Sequence, residues 1–215
     1  MSFDYLFDHR REVLLLTVEH LQLTGIAIVI ALLIAVPLAI LAARSRRVAL
    51  PILGVLGAVY TIPSLAFLAF LIPALGLGRV PAIVALAAYA QIFLVRNILA
   101  GLRGVDPATL EAARGLGMTD RQVFMRVRLP LALPVILAGV RIATVTTISL
   151  ATVTAWINAG GLGLLLFNGI ARDNPSQILA GTVGIAILAI VADQVLRGVE
   201  RLTPMSRALR ASRRS

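Results

Sequence analysis

Few side chains in this 215-residue sequence can carry covalent chemistry. There is no cysteine, which removes thiol nucleophiles, disulfides and zinc–thiolate sites. All 20 basic residues are arginine. Without lysine there is no Schiff-base amine and no GxxxxGK[ST] phosphate loop. His9 and His20 are too few and too far apart for a metal site. The residues that stand out act through backbone geometry, dipoles and surface shape. Thr61, Pro63 and Ser64 interrupt an apolar run with two hydroxyls and an imino acid. Gly160, Gly161 and Gly163 follow Asn158 in a second cluster. Arg141 stands alone in an apolar stretch. Such features bind, bend and dock, so no catalytic residue, metal ligand or resident cofactor is assigned.

The elements that hold these residues must be membrane helices. Hydrophobic residues make up 59% of the chain and charged ones 14%, against about 25% charged in soluble domains. The chain is read as one all-α transmembrane bundle over 1–215. Five apolar runs at 21–43, 48–75, 81–102, 131–157 and 177–196 each suffice to cross about 30 Å of hydrocarbon. The second is read as a single span kinked at Pro63, since membrane helices tolerate proline that way. Fourteen of the twenty arginines collect on one side if the N-terminus is outside: Arg44, Arg46 and Arg47, five between 103 and 130, and six in a tail at 197–215. Only Arg10, Arg11, Arg79 and Arg172 fall opposite, so the positive-inside rule puts the C-terminus in the cytoplasm. The net charge of +10 therefore reports orientation rather than nucleic-acid binding. No cleavable leader is expected, because Asp4 and Asp8 stand where a basic region would. Residues 12–22 read as an amphipathic lead-in at the outer interface, with Glu19 and His20 solvated.

The loop at 103–130 has clear punctuation. Asp106 is a good N-cap before Pro107, and Gly117 suits a left-handed helix end. Thr119 and Gln122 have the spacing of a capping box, and Pro130 marks entry into the fourth span. Ala112 and Ala113 allow another surface to approach closely, and Arg114, Arg121, Arg126 and Arg128 surround them with positive charge. This is a compact helix–turn–helix, and its composition suits either docking or a solvated cytoplasmic loop whose arginines only set topology.

Glu111-Ala112-Ala113, Gly117 after three residues, Val127 after nine more, then Leu129-Pro130 resemble the EAA loop of binding-protein-dependent ABC transporter permeases. Only Val127, in place of isoleucine, departs from that pattern. The resemblance continues in Tyr60-Thr61-Ile62-Pro63-Ser64-Leu65-Ala66, in Arg103 to Pro107, in Leu129 to Arg141, and in Ala159-Gly160-Gly161-Leu162-Gly163, where Asn158 replaces a glycine. Together these look like the glycine betaine/carnitine/choline subfamily, with a five-span core of the methionine-permease type. The resemblance implies that Glu111, Ala112, Ala113 and Gly117 dock onto a cytoplasmic ATPase. Val127, Leu129 and Pro130 would pack the loop onto the bundle. It further implies that ATP and Mg bind that separate subunit. An extracytoplasmic substrate-binding protein and a second permease, identical or related, would complete a complex in the bacterial inner membrane.

A translocation path or gate is expected at Thr61, Pro63, Ser64, Arg141, Asn158, Gly160, Gly161 and Gly163. Pro63 would expose a carbonyl dipole to a cationic headgroup, and the glycines would allow a re-entrant turn on the outer side. Their alternatives are a packing kink and a plain loop turn. Arg141, about 16 Å into its helix, is either functional, snorkelled or held by a structural partner such as a helix C-terminus or an acidic side chain. Arg96 is expected to snorkel to the inner interface, and Asp193 to pair with an arginine. Tyr60, Tyr89 and Trp156 are possible aromatic faces for a quaternary ammonium, Trp156 equally an interfacial anchor. Other amino-acid-derived solutes, such as ergothioneine or methionine, are the alternative cargo. An ion-coupled transporter is disfavoured by the lack of paired intramembrane acids and of an inverted repeat.

Overall fold

The computed structural model describes residues 4–202. Arg207, Arg210, Arg213 and Arg214 of the expected basic tail lie outside them. A short helix α1 (Asp4–Asp8) precedes α2 (Arg10–Arg44), α3 (Arg46–Thr61), α4 (Ser64–Leu75) and α5 (Arg79–Arg103). Next come α6 (Pro107–Gly115), α7 (Asp120–Gln122), a π turn at Val123–Arg128 and α8 (Leu129–Ala151). A 3-10 turn at Val153–Ile157, then α9 (Gly163–Ala171) and α10 (Pro175–Leu202) complete the bundle. No strand occurs among the described residues. α2, α5, the run Asp120–Ala151 and α10 are each long and apolar enough to cross a membrane, and α3 with α4 would make a fifth span.

α5 is the central helix, clasped between α2 and α8. Lipid is as apolar as leucine, so burying leucine between helices gains little there, and close backbone approach through small residues takes over. Ala27, Ala31, Ala35 and Ala39 recur every fourth residue of α2 and are fully buried. On the other flank, a side chain at Gly101 of α5 would press on the Ala132 carbonyl, and one at Gly139 of α8 on Asn97. Gln91 seals the α2–α5 contact by donating to the Ala31 carbonyl at 3.1 Å. Larger apolar side chains such as Leu33 and Val29 of α2 point outward instead.

Four expectations need correction. The second span is not one kinked helix: α3 and α4 meet at an angle of 96°. Pro63 cannot donate a backbone hydrogen bond, and a residue before proline prefers extended backbone; Ile62 has φ −67° and ψ 128°. The lead-in at 12–22 is not a separate interfacial helix. It continues α2, whose 35 residues rise about 52 Å, well beyond a bilayer core. His20, expected in solvent, is fully buried. The fourth apolar run also changes character: its α-helix stops at Ala151 and the chain tightens into the 3-10 turn.

Candidate functional site

Two clusters sit at opposite ends of α5. At its C-terminal end, the 103–130 loop is built from local signals. The Asp106 carboxylate accepts from the Ala108 N–H at 3.0 Å, with Pro107 at the first turn of α6. Gly117 ends that helix at φ +81°, its N–H donating to the Arg114 carbonyl at 2.9 Å. The Met118 N–H reaches the Ala113 carbonyl at 3.3 Å, so the last carbonyls of α6 are satisfied. Thr119 and Gln122 form the reciprocal capping box, with the Thr119 N–H donating to Gln122 Oε1 at 2.8 Å. Arg114 Nε lies 3.3 Å from Asp120 Oδ1 and ties the two helices together across the turn.

The loop is bolted to the bundle. Val105, Leu110 and Phe124 join the central apolar core. Arg128 Nε donates to the Leu102 carbonyl at 2.8 Å. Arg103 Nη2 caps the end of α2 at the Ala42 carbonyl, 2.8 Å away. The helix does not restart at Pro130. It runs on from α7 through the π turn, where the Leu129 N–H reaches back five residues to the Phe124 carbonyl. Leu129 lines an apolar cleft of about 300 Å³ with Phe124, Met125 and residues of α2 and α5, while Val127 and Pro130 are half-buried.

This mounting splits the expected docking set. Glu111, Ala112 and Gly117 are exposed, whereas Ala113 is buried beneath them. Leu116, which the sequence reading passed over, is 84% exposed. Its signal was an aliphatic residue between two glycines in a polar loop. A small-residue helix face, a bulky apolar knob and flanking arginines form one exposed surface.

At the other end of α5, Asn158, Gly160 and Gly161 adopt φ of +62°, +89° and +83°. Asparagine tolerates that region better than other side chains, which accounts for Asn158 where a glycine was expected. The Gly161 N–H donates to Glu19 Oε2 at 3.0 Å. A side chain at Gly160 would strike the same carboxylate, and one at Gly161 would strike His20. His20 Nε2 donates to the Ile148 carbonyl of α8 at 2.9 Å. Gly163 is packed so closely that a side chain would enter the Thr152 carbonyl. Arg79 stands 3.8 Å from Glu19, and the neighbouring Gly78 N–H donates to the Ile157 carbonyl at 2.8 Å. Glu19, His20 and Arg79 are thus members of this cluster that sequence reasoning missed.

The break at Pro63 lies between these ends. Thr61 and Pro63 are exposed and Ser64 is half-buried. At the break the Val59 carbonyl accepts from the Ile62 N–H at 3.2 Å, and the Ile62 carbonyl accepts from the Tyr89 hydroxyl at 2.7 Å. That bond and 4% exposure remove Tyr89 as an open aromatic face. Tyr60 remains 42% exposed, and Trp156, 66% exposed, stacks edge-on with Phe167. Arg141 is not brought to the break or to the glycines. Its Nε lies 3.0 Å from Asp193 and its Nη1 3.2 Å from Glu200, bracing α8 against α10. Asp193 also pairs with Arg197 at 3.0 Å.

The choline transport system permease protein OpuBB of Bacillus subtilis is 45% identical over 194 residues, 90% of this chain and 89% of that one. The carnitine transport permease protein OpuCB of Listeria monocytogenes is 42% identical, over 96% of this chain and 94% of its own. The osmoprotectant import permease protein OsmW of Salmonella typhimurium is 40% identical, over 94% and 97%. Among solved structures, the inward-facing MetNI methionine ABC transporter matches with a TM-score of 0.80 at 22% identity, over 94% of this chain and 99% of that one. An amino acid ABC transporter with histidines matches at 0.77 and 19%, over 94% and 98%. These two likenesses concern the fold. Residues 35–203 match the inner membrane component of binding-protein-dependent transport systems, and this chain is a member of that family, a membrane permease component and not an enzyme.

Proposed function

We propose that this chain is the membrane-spanning subunit of an ATP-driven importer for a quaternary-ammonium compatible solute of the glycine betaine, carnitine or choline type. The names of its relatives support that cargo over methionine or ergothioneine. The observation that carries the coupling role is the exposed Glu111–Ala112–Leu116 surface on a loop fixed to the bundle by Arg128 and Phe124. A rigid mount transmits a push, whereas a floppy loop absorbs it. A separate cytoplasmic ATPase binds ATP and Mg and docks on that surface. Val127, Leu129 and Pro130 pass its movement into α8.

In this reading the N-terminus is outside and the 103–130 loop and tail are cytoplasmic, as the arginine distribution requires. A second permease and an outer solute-binding protein complete the complex in the bacterial inner membrane. Thr61, Pro63 and Ser64 line the path at the broken span. Asn158, Gly160, Gly161 and Gly163 form the outer gate element. Arg141, with two acidic partners, holds α8 to α10.

The test is uptake of labelled glycine betaine, carnitine and choline into proteoliposomes holding the permease with its ATPase and binding protein. Uptake is expected only with ATP inside and both partners present. Uptake without the ATPase would overturn the reading.

A further inference from the structure

We propose that Tyr60, Phe93 and Arg96 form a transit site for a short zwitterion, with the ammonium on the Tyr60 ring and the carboxylate on the Arg96 guanidinium. The proposal rests on the function proposed above and narrows its cargo at the permease to betaine-like zwitterions, with plain cations such as choline disfavoured.

The site lies on the face shared by α3 and α5. These helices run antiparallel: Ala49 packs near Leu99 at one end, and Tyr60 meets Phe93 at the other. The Tyr60 ring sits edge-to-face with Phe93 at 5.1 Å and with Tyr89 at 5.9 Å. Tyr89 is fixed by its bond to the Ile62 carbonyl, so the ring's bed is rigid while much of Tyr60 stays exposed. One turn beyond Phe93, Arg96 is exposed and makes no ion pair or hydrogen bond among the described residues. One turn before Tyr60, Gly57 has open space where a side chain would stand. The level of Arg96 is therefore left clear on the α3 side.

Arg96 lies about 10 Å along α5 from its end at Arg103, at membrane depth. A charge there needs a water-filled path, an opposite charge or a reach to the interface. Among the described residues no acidic side chain pairs with it. No Asp or Glu occurs between Glu19 and Asp106, and α8 has none. The acids of α10, Asp193 and Glu200, are engaged with Arg141. A carboxylate from the cargo matches the guanidinium through paired charge-assisted hydrogen bonds, and an aromatic ring attracts a quaternary ammonium within about 6 Å of its centroid. A cation without a carboxylate gains the ring and is repelled by the guanidinium.

The assembled transporter in proteoliposomes provides the test, read as the ratio of glycine betaine to choline uptake in one preparation. This ratio is insensitive to how much of a variant assembles. R96Q is expected to lower it about tenfold, mainly through betaine, while R96K keeps it within about threefold of wild type. Y60A is expected to slow both solutes. An unchanged ratio in R96Q, whether both solutes slow equally or neither does, would overturn the proposal and leave Arg96 a bracing or snorkelled residue. Wild-type uptake of choline alone would also overturn it while leaving the importer intact. No ATP-dependent uptake of any such solute would overturn the parent reading instead.

Discussion

Gly117 and Gly161 have nearly the same backbone conformation, φ +81° and +83°, in opposite surroundings. Around Gly117 there is nothing within 4 Å of the position a side chain would take. Its partners are the residues just before it: the turn closes on Arg114 and Ala113. Gly161 is buried, and its N–H is held by Glu19, 142 positions away in sequence. One turn is assembled locally and presented outward. The other exists because a helix from the far end of the chain lies against it. Local assembly suits a surface that must be ready for a partner. Long-range assembly suits an element whose position reports on the packing of the helices around it.

Substitutions can break this contrast, and the largest effect belongs to the buried element. Gly163→Val drives a side chain into the Thr152 carbonyl, backbone that has nowhere to go. Overpacking of this kind costs about 3 kcal/mol. Thermal unfolding followed by size-exclusion chromatography in detergent should show a marked fall in Tm, and a wild-type Tm would mean the close approach is not rigid. Glu19→Ala comes next. It removes a charge-assisted bond worth about 1.5–3 kcal/mol and should speed amide exchange at 158–163 without touching the loop at 106–122. Faster exchange in both regions would dissolve the distinction between them.

Gly117→Val should cost about 1–2 kcal/mol, locally, for a branched residue at positive φ. Here the expected outcome is normal membrane insertion and an intact bundle, with the strain confined to the turn and ATPase co-purification lost. Retained association and coupled uptake would remove the docking role from this turn. The smallest effect is Asp106→Ala, about 1 kcal/mol for a lost N-cap, seen as faster exchange in the first turn of α6 alone.

Legibility in the sequence follows the same division. The N-cap at Asp106, the capping box at Thr119 and Gln122 and the left-handed end at Gly117 are all readable because each partner lies within a few residues. The burial of Ala113 and exposure of Leu116 were not readable, since they depend on which side of α6 meets Phe124 and the bundle. At the glycine element the turn residues were visible, but Glu19 and His20 were placed in solvent. Nothing in their own neighbourhood reveals that the 158–163 segment covers them. The Pro63 break illustrates the middle case. Its location was plain, while the 96° angle and the Tyr89 hydroxyl that holds the Ile62 carbonyl at the bend belong to the packing of α4 and α5.

The sequence by itself determined a membrane bundle, the distribution of its arginines, the EAA-like loop and the absence of lysine- or thiol-based chemistry. These rest on composition and short spacings, which folding cannot rearrange. Tertiary structure decided which polar groups are partnered. It paired Arg141 with Asp193 and Glu200, buried His20 against Ile148 and engaged the Ile62 carbonyl. It also left Arg96 exposed one turn along α5 from Phe93, on which Tyr60 packs. A charge in an apolar helix must find a counter-charge or water, and helices distant in sequence settle whether the protein provides it.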